Sequence, residues 1–276
     1  MITVSAIFFA LAVGLLIGGL YGSPTVTARQ ANAISDLGRT LTQQTTQLEP
    51  YKTYATRVSP VFLVNKLTGY RIAVVITGDY PDTGASVADT LEQAGATVTG
   101  VMTLGTRASG DDSDVARRLA TISRAGSQAP ASRQELVTAL ANIVAHGDNP
   151  ERALLPSLVS VGMVTTHADT DFSIGCHDAV IVGGGREADA GRIDEIDAPL
   201  VRGLQNSGIT VTMAEPESAT VSDVAAYHAA GLQLATVDDV DTVIGQTSLV
   251  LSFKRDPDDF GVKPTAHQLM PDPAAP

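Results

Sequence analysis

The first 28 residues contain no Asp, Glu, Lys, Arg or His, and that stretch decides where the rest of the chain can reside. Its densest part, Ile2–Tyr21, is mostly apolar and would span roughly 30 Å as a helix, about one hydrocarbon core. Two readings fit, a membrane anchor over residues 1–28 and a cleaved leader. The run is longer than the roughly 7–15 apolar residues of a signal core, which favours the anchor, while Val26-Thr27-Ala28 resembles the small-residue pattern that peptidases accept. Gly14, Gly18 and Gly22 recur every fourth residue. Glycines so spaced line one helix face and let a second backbone approach, so they are candidate dimerisation residues; glycine is also simply frequent in membrane helices.

Residues 29–62 continue that theme. Ile34, Leu37, Leu41 and Leu48 fall at a, d, a and a of one heptad frame, with Gln44 at the intervening d. Such spacing buries a narrow seam against a partner helix. Gly38 lowers helix propensity, and Pro50 is expected to close the run after about three heptads. So short a coil is marginal alone, but tethering in a membrane raises the partner's effective concentration. A parallel dimeric stalk and an intramolecular helix hairpin both satisfy the pattern.

The formal net charge is −12, Lys and Arg never cluster beyond Arg117-Arg118, and Trp is absent. Phosphate backbones would repel such a surface, which excludes nucleic acid as a partner. The single cysteine, Cys176, permits no internal disulfide. Arg29 and Arg39 follow the apolar run and no basic residue precedes it. Taken literally, the positive-inside rule would put the domain in the cytoplasm; the missing basic stub suggests instead that the sequence begins a few residues late.

Residues 63–255 read as one Rossmann-like α/β domain, an open parallel sheet with a helical insertion. Arg71–Thr77 is a β-branched run ending at Gly78, and Val87, Leu91 and Ala94 sit at helical spacing before Gly95. Thr97–Leu104 returns as a strand, so a right-handed βαβ crossover sets it beside the first. Asp178–Val182, Ile193–Gln205 and Ile209–Met213 repeat the unit. Val221–Ala230 reads as a helix and Leu232–Val237 as a last strand. Val240–Phe253 reads as a closing amphipathic helix. In the insertion, Ser132 and Glu135 form a capping-box pattern for a helix to Ala145, and Leu154–Val164 is ambiguous. Residues 256–276 carry five prolines and read as an extended tail without a core of its own.

Three constellations could carry chemistry. Gly183-Gly184-Gly185-Arg186-Glu187-Ala188 fits G-x-G-x-x-A between strand and helix, where backbone N–H groups can cradle a pyrophosphate. It equally fits a plain glycine-rich turn, and Glu187 and Asp189 would set negative charge beside a phosphate. Asp238, Asp239 and Asp241 could hold a hard cation, but lack the glycine and distal glutamate of a calcium loop, so Asp239 or Asp241 is expected to cap a helix instead. Cys176-His177, with Met163 and His167 upstream, is the one adjacent soft-ligand pair and suits Cu(I), although a buried cysteine at a strand foot has the same appearance. The remaining histidines are scattered at 146, 228 and 267. No G-x-S-x-G elbow or H-E-x-x-H helix occurs, so no enzyme is expected.

Three segments together resemble the actinobacterial MctB copper-transporter family, which includes the corynebacterial SteB proteins. They are the apolar run 9–19, the strand–turn–helix 179–191 around Gly183, Gly184 and Gly185, and the block 234–242. That block carries Val237, Asp238, Asp239 and Asp241, and Gly245 and Leu249–Leu251 follow it. The resemblance implies an envelope protein without known catalytic residues or established cofactor. Within it, one branch implies copper homeostasis, with some members assigned to the outer membrane. The SteB branch implies cell separation alongside a SteA-like membrane protein and a peptidoglycan hydrolase. Family members usually begin with a basic stub, which implies a single plasma-membrane span with the domain outside. One helix cannot enclose a pore, and the domain lacks the alternating ten-residue strands of an outer-membrane barrel. The expected role is therefore a dimeric envelope scaffold, with copper handling as the alternative and a nucleotide-binding enzyme as a remote one.

Overall fold

The computed structural model describes residues 24–105, 108, 110–124, 129–147, 149–167 and 171–273, with side chains from residue 33 onward. Residues 1–23 of the expected anchor, Gly14, Gly18 and Gly22 among them, lie outside them. Among the described residues, no helix is long and apolar enough to cross a membrane. The chain divides into two units, Met1–Arg57 and Val58–Pro276.

The first element is one helix, α1 (Pro24–Leu63). Pro50 does not close it. The bond that proline deletes would have reached the Thr46 carbonyl on an exposed face, where water can replace the donor. Threonines fit by returning their hydroxyls to carbonyls four residues back, as Thr42 does to Gly38 and Thr46 to Thr42. The same heptad frame therefore runs on past Leu48, through Tyr51, Ala55, Val58 and Phe62. A hairpin folding back within 24–63 is not formed.

In the second unit the chain continues as β1 (Arg71–Ile76), α2 (Pro81–Gln93) and β2 (Thr97–Leu104). The insertion follows, with α3 (Asp112–Arg124), α4 (Arg133–Ala145), a 3₁₀ turn Pro150–Leu154, α5 (Leu155–Ser160) and β3 (Val164–Thr166). Next come β4 (Asp178–Val182), α6 (Ala190–Arg192), a π-helical turn Ile193–Asp197, α7 (Ala198–Asn206) and β5 (Thr210–Ala214). The chain ends with α8 (Val224–Ala229), β6 (Ala235–Val237), α9 (Val243–Ser252) and β7 (Asp259–Phe260).

The seven strands lie in the order β3-β2-β1-β4-β5-β6-β7, all parallel except β3, which pairs antiparallel with β2. This is the doubly wound order, with the chain reversing direction across the sheet between β1 and β4. Alternation on the central strands feeds two cores. Ala73, Val75, Ala179 and Ile181 pack under α4, α7 and α8, while Ile72, Val74, Ile76, Val180 and Val182 pack with α2 and α9.

Four details depart from the sequence reading. The helix expected from Ile193 is interrupted by the π turn. The ambiguous segment 154–164 splits into a helical turn and the edge strand β3. Helix α9 is buried around most of its circumference rather than amphipathic, with Ser248, Leu249, Val250 and Ser252 all covered. The proline-rich tail has no core of its own, yet Phe260 is buried against the sheet and β7 pairs with β6.

Candidate functional site

In doubly wound sheets ligands settle outside the carboxyl ends of the strands, where the strand order reverses. Here that point lies between the turn 77–79 after β1 and the glycine turn 183–186 after β4. The two turns press backbone to backbone: a Cβ on Gly78 would sit 2.5 Å from the carbonyl oxygens of Gly183 and Gly184. Thr77 and Gly78 donate to the Val182 carbonyl at 2.9 and 3.1 Å, and Asp79 N–H donates to Gly184 at 3.0 Å.

All four N–H groups of the glycine turn are already used. Gly183 donates to the Ala214 carbonyl at 2.8 Å and Gly185 to Val221 at 3.0 Å. Gly184 donates to the Asp223 carboxylate at 2.5 Å and Arg186 to the Asp79 carboxylate at 2.8 Å. The two carboxylates thus occupy the places that phosphate oxygens take in a dinucleotide site. Asp79, Arg186, Glu187 and Asp189 line the mouth of the crevice, so acidic side chains outnumber the basic one there. The nucleotide reading of Gly183, Gly184 and Gly185 thereby loses its donors; the glycines permit close packing.

Beneath the turn lies a buried ionic network. Arg192 donates to Asp197 at 2.7 Å, to Asp223 at 2.5 Å and to the Thr77 hydroxyl at 3.2 Å. Tyr227 donates its phenol to Asp197 at 2.8 Å. The wide π turn brings Asp197, five residues on, against Arg192. Burial would pull the Arg192 guanidinium down, but the Asp197 and Asp223 carboxylates outweigh it and raise its pKa. Burial lifts Asp197 to about 6 against the pull of Arg192, and raises the Tyr227 phenol well above its usual range with Asp197 adding to the effect. Alongside, Glu215 accepts from Lys263 at 2.8 Å and from Asp223 N–H at 2.9 Å. Burial raises Glu215 too, with Lys263 opposing.

The aspartate block of β6 serves the same end of the sheet. Asp238 accepts the N–H groups of Val262 and Lys263 at 2.8 and 3.1 Å. Asp241 accepts Glu217 N–H at 2.6 Å and the Ser218 hydroxyl at 3.2 Å. The expected capping by Asp239 or Asp241 is not observed, since Thr242 caps α9 through Gly245 N–H at 3.0 Å and Asp239 instead accepts from the Thr242 hydroxyl at 3.1 Å. Asp239 is fully buried with one oxygen unpartnered, and burial first, then the nearby acids, lifts it to about 6. Apart from that oxygen, these carboxylates accept from loop N–H and hydroxyl groups, and among the described residues Asp238, Asp239 and Asp241 do not converge on one point as cation ligands would.

The soft pair is separated by its surroundings. Cys176 is buried, donates to the Val144 carbonyl at 3.2 Å, and has its thiol pushed up to about 12 by burial. A thiol so protonated is a poor ligand for Cu(I). His177 points the other way, its Nε2 lying 2.6 Å from the Arg71 guanidinium.

Sequence reading missed a cluster at the β7 edge. His267 Nδ1 lies 2.8 Å from an Asp258 oxygen and 3.7 Å from an Asp259 oxygen. His228, on α8, sets Nε2 3.1 Å from the other Asp259 oxygen. The hydrogen bond to Asp258, then the charge of Asp259, raises His267; burial opposes, but hydrogen bonds from His267, Asp259 N–H and Gln268 hold Asp258 below its ordinary value. Thirty-nine positions separate the two histidines in sequence, and no local pattern joins them; only the pairing of β7 with β6 does.

Fold and site together define a doubly wound α/β domain whose ligand crevice is closed by its own carboxylates, preceded by a long helix with exposed apolar residues. The chain belongs to the MctB family. The model of that family, described as copper transport outer membrane protein, matches residues 1–271, as the resemblance implied. No curated protein matches the chain.

Proposed function

We propose that the chain is a non-catalytic scaffold of the cell envelope, working as a parallel homodimer. Residues 1–28 anchor it as a single plasma-membrane span, residues 29–62 form the paired stalk, and the α/β domain stands outside the membrane as a head that positions or regulates partners in envelope maintenance and cell separation. A SteA-like membrane protein and a peptidoglycan hydrolase are the partner classes that the family resemblance suggests. One observation carries the reading: Ile34, Leu37, Leu41 and Leu48, at heptad positions of α1, are 62–70% exposed. A row of large apolar side chains at that spacing is complementary to a copy of itself. The closed crevice supports the non-catalytic part, because the usual ligand position of this fold already holds protein groups.

Copper transport or homeostasis is the second reading, favoured by the description of the family. Loss of the gene separates the two. Chained, unseparated cells with normal copper tolerance support the scaffold. Copper hypersensitivity with normal septation contradicts it and supports metal handling. An in-cell crosslinking capture of the membrane-embedded form would then identify what the head touches.

A further inference from the structure

We propose that residues 261–270 are a displaceable strap over a lysine socket, and that a Gly-X-Lys segment of a partner protein takes the strap's place there. The socket lies at the carboxyl ends of β5 and β6. The Lys263 ammonium fills it, donating to Glu215 at 2.8 Å and to the Pro216 carbonyl at 2.9 Å. Asp238 takes the adjoining backbone, accepting the N–H groups of Val262 at 2.8 Å and Lys263 at 3.1 Å. Glu215 and Asp238 are buried, whereas Val262 is 49% exposed, so its side chain is not read. Gly261 is read, because a Cβ there would strike an Asp238 oxygen. What the socket recognises is a glycine, two consecutive N–H groups and an ammonium, and a Gly-X-Lys segment presents all of them.

The strap itself is lightly held. No residue from Val262 to Met270 is buried, and segments with few buried apolar contacts open locally at small cost. Its other contacts are polar: His267 and Gln268 each reach Asp258 at 2.8 Å, and the Ser248 hydroxyl donates to the Leu269 carbonyl at 3.2 Å. Exposed pairs such as His267 with Asp258 contribute little. Drawing Lys263 off a buried carboxylate would be costly by itself. An incoming Gly-X-Lys segment remakes each socket contact as the strap leaves, so the exchange is close to balanced. Charge favours a basic newcomer, because the chain carries −12 and Glu217, Asp239 and Asp241 flank the socket residues in sequence. The other Glu215 oxygen accepts Asp223 N–H at 2.9 Å, so the socket borders the switch point.

The inference rests on the scaffold reading only in treating the head as a partner-binding surface; the test below depends neither on stalk pairing nor on the deletion phenotype. The full chain in detergent is titrated with a labelled peptide of its own residues 259–270, and with the same peptide carrying Lys263→Ala. Lys263→Ala in the chain vacates the socket and should bind the lysine peptide at least about tenfold more tightly than the parent, whose socket is mostly filled. The alanine peptide should bind neither chain. Excess lysine peptide should speed hydrogen exchange across 261–270 in the parent and leave the central strands unchanged. Adding Glu215→Gln to Lys263→Ala should abolish peptide binding, and Lys263→Met, which keeps the apolar stem, serves if Lys263→Ala fails to fold. Equal affinity of parent and vacated chain, binding that ignores the peptide's lysine, or exchange at 261–270 untouched by peptide would overturn the proposal. Carbodiimide crosslinks from Lys263 to Glu215 of another copy would assign the socket to a second chain and overturn the partner class.

Discussion

At the residue scale, Arg192 holds the switch point together. It is the buried cation between Asp197 and Asp223, and Asp223 in turn fixes the glycine turn through Gly184 N–H. Removing one partner of a buried pair leaves uncompensated charge, a cost of about 3–5 kcal/mol. Arg192→Met should lose stability of that order in urea unfolding; a change under about 1 kcal/mol would show that the network is not under tension from its carboxylates. Asp239 has the opposite sign. Its folded pKa is near 6 against an ordinary 3.8, so the folded state binds more protons than the unfolded one between those values. Stability therefore falls as pH rises from about 4 through 6, and the charged form is disfavoured above that. Asp239→Asn should stabilise the protein by about 1–3 kcal/mol at pH 8, with the gain shrinking towards pH 5. Thermal unfolding of both proteins at the two pH values measures it; a variant less stable at pH 8 than its parent contradicts it.

At the element scale, β7 shows where pattern reading fails. It has two residues, follows a proline, and offers no alternation to detect. It holds its place through Gly261, whose φ of +137° and whose missing Cβ, 1.9 Å from an Asp238 oxygen if present, admit no other side chain. Gly261→Ala should free the loop 259–268, read as faster hydrogen exchange there with the central strands unchanged; uniform protection would contradict the role given to this glycine. β1, β2, β4 and β5 were legible for the converse reason: buried parallel strands read as apolar runs bounded by turn residues. The capping box at Ser132 was legible too, and its hydroxyl accepts Glu135 N–H at 3.2 Å. Pro50 misled because propensity treats a proline as a stop regardless of exposure, and α9 misled because helical periodicity marks one apolar face without saying whether the others are covered. The candidate site was the least legible part. The glycine turn was visible, but its occupation by Asp79 and Asp223 depends on residues 107 and 39 positions away in the chain.

At the scale of the whole molecule, the heptad frame of α1 bears most directly on function. Read past Pro50 it joins Ile34, Leu37, Leu41 and Leu48 to Tyr51, Ala55, Val58 and Phe62, with Gln44 the one polar member and Pro50 at an outer position. The proposed pairing then has about four heptads to draw on, rather than three, and tethering of two copies would favour so short a coil. In the α/β unit the switch-point crevice is filled by Asp79 and Asp223, which agrees with the proposed binding and positioning role. Single cysteines placed in membranes in a Cys176→Ala background test the pairing. Leu37→Cys and Tyr51→Cys should each give a disulfide-linked dimer under mild oxidation, while Arg39→Cys and Thr53→Cys on the opposite face should not. Equal crosslinking on both faces, or none at Leu37 and Tyr51, would contradict a paired stalk.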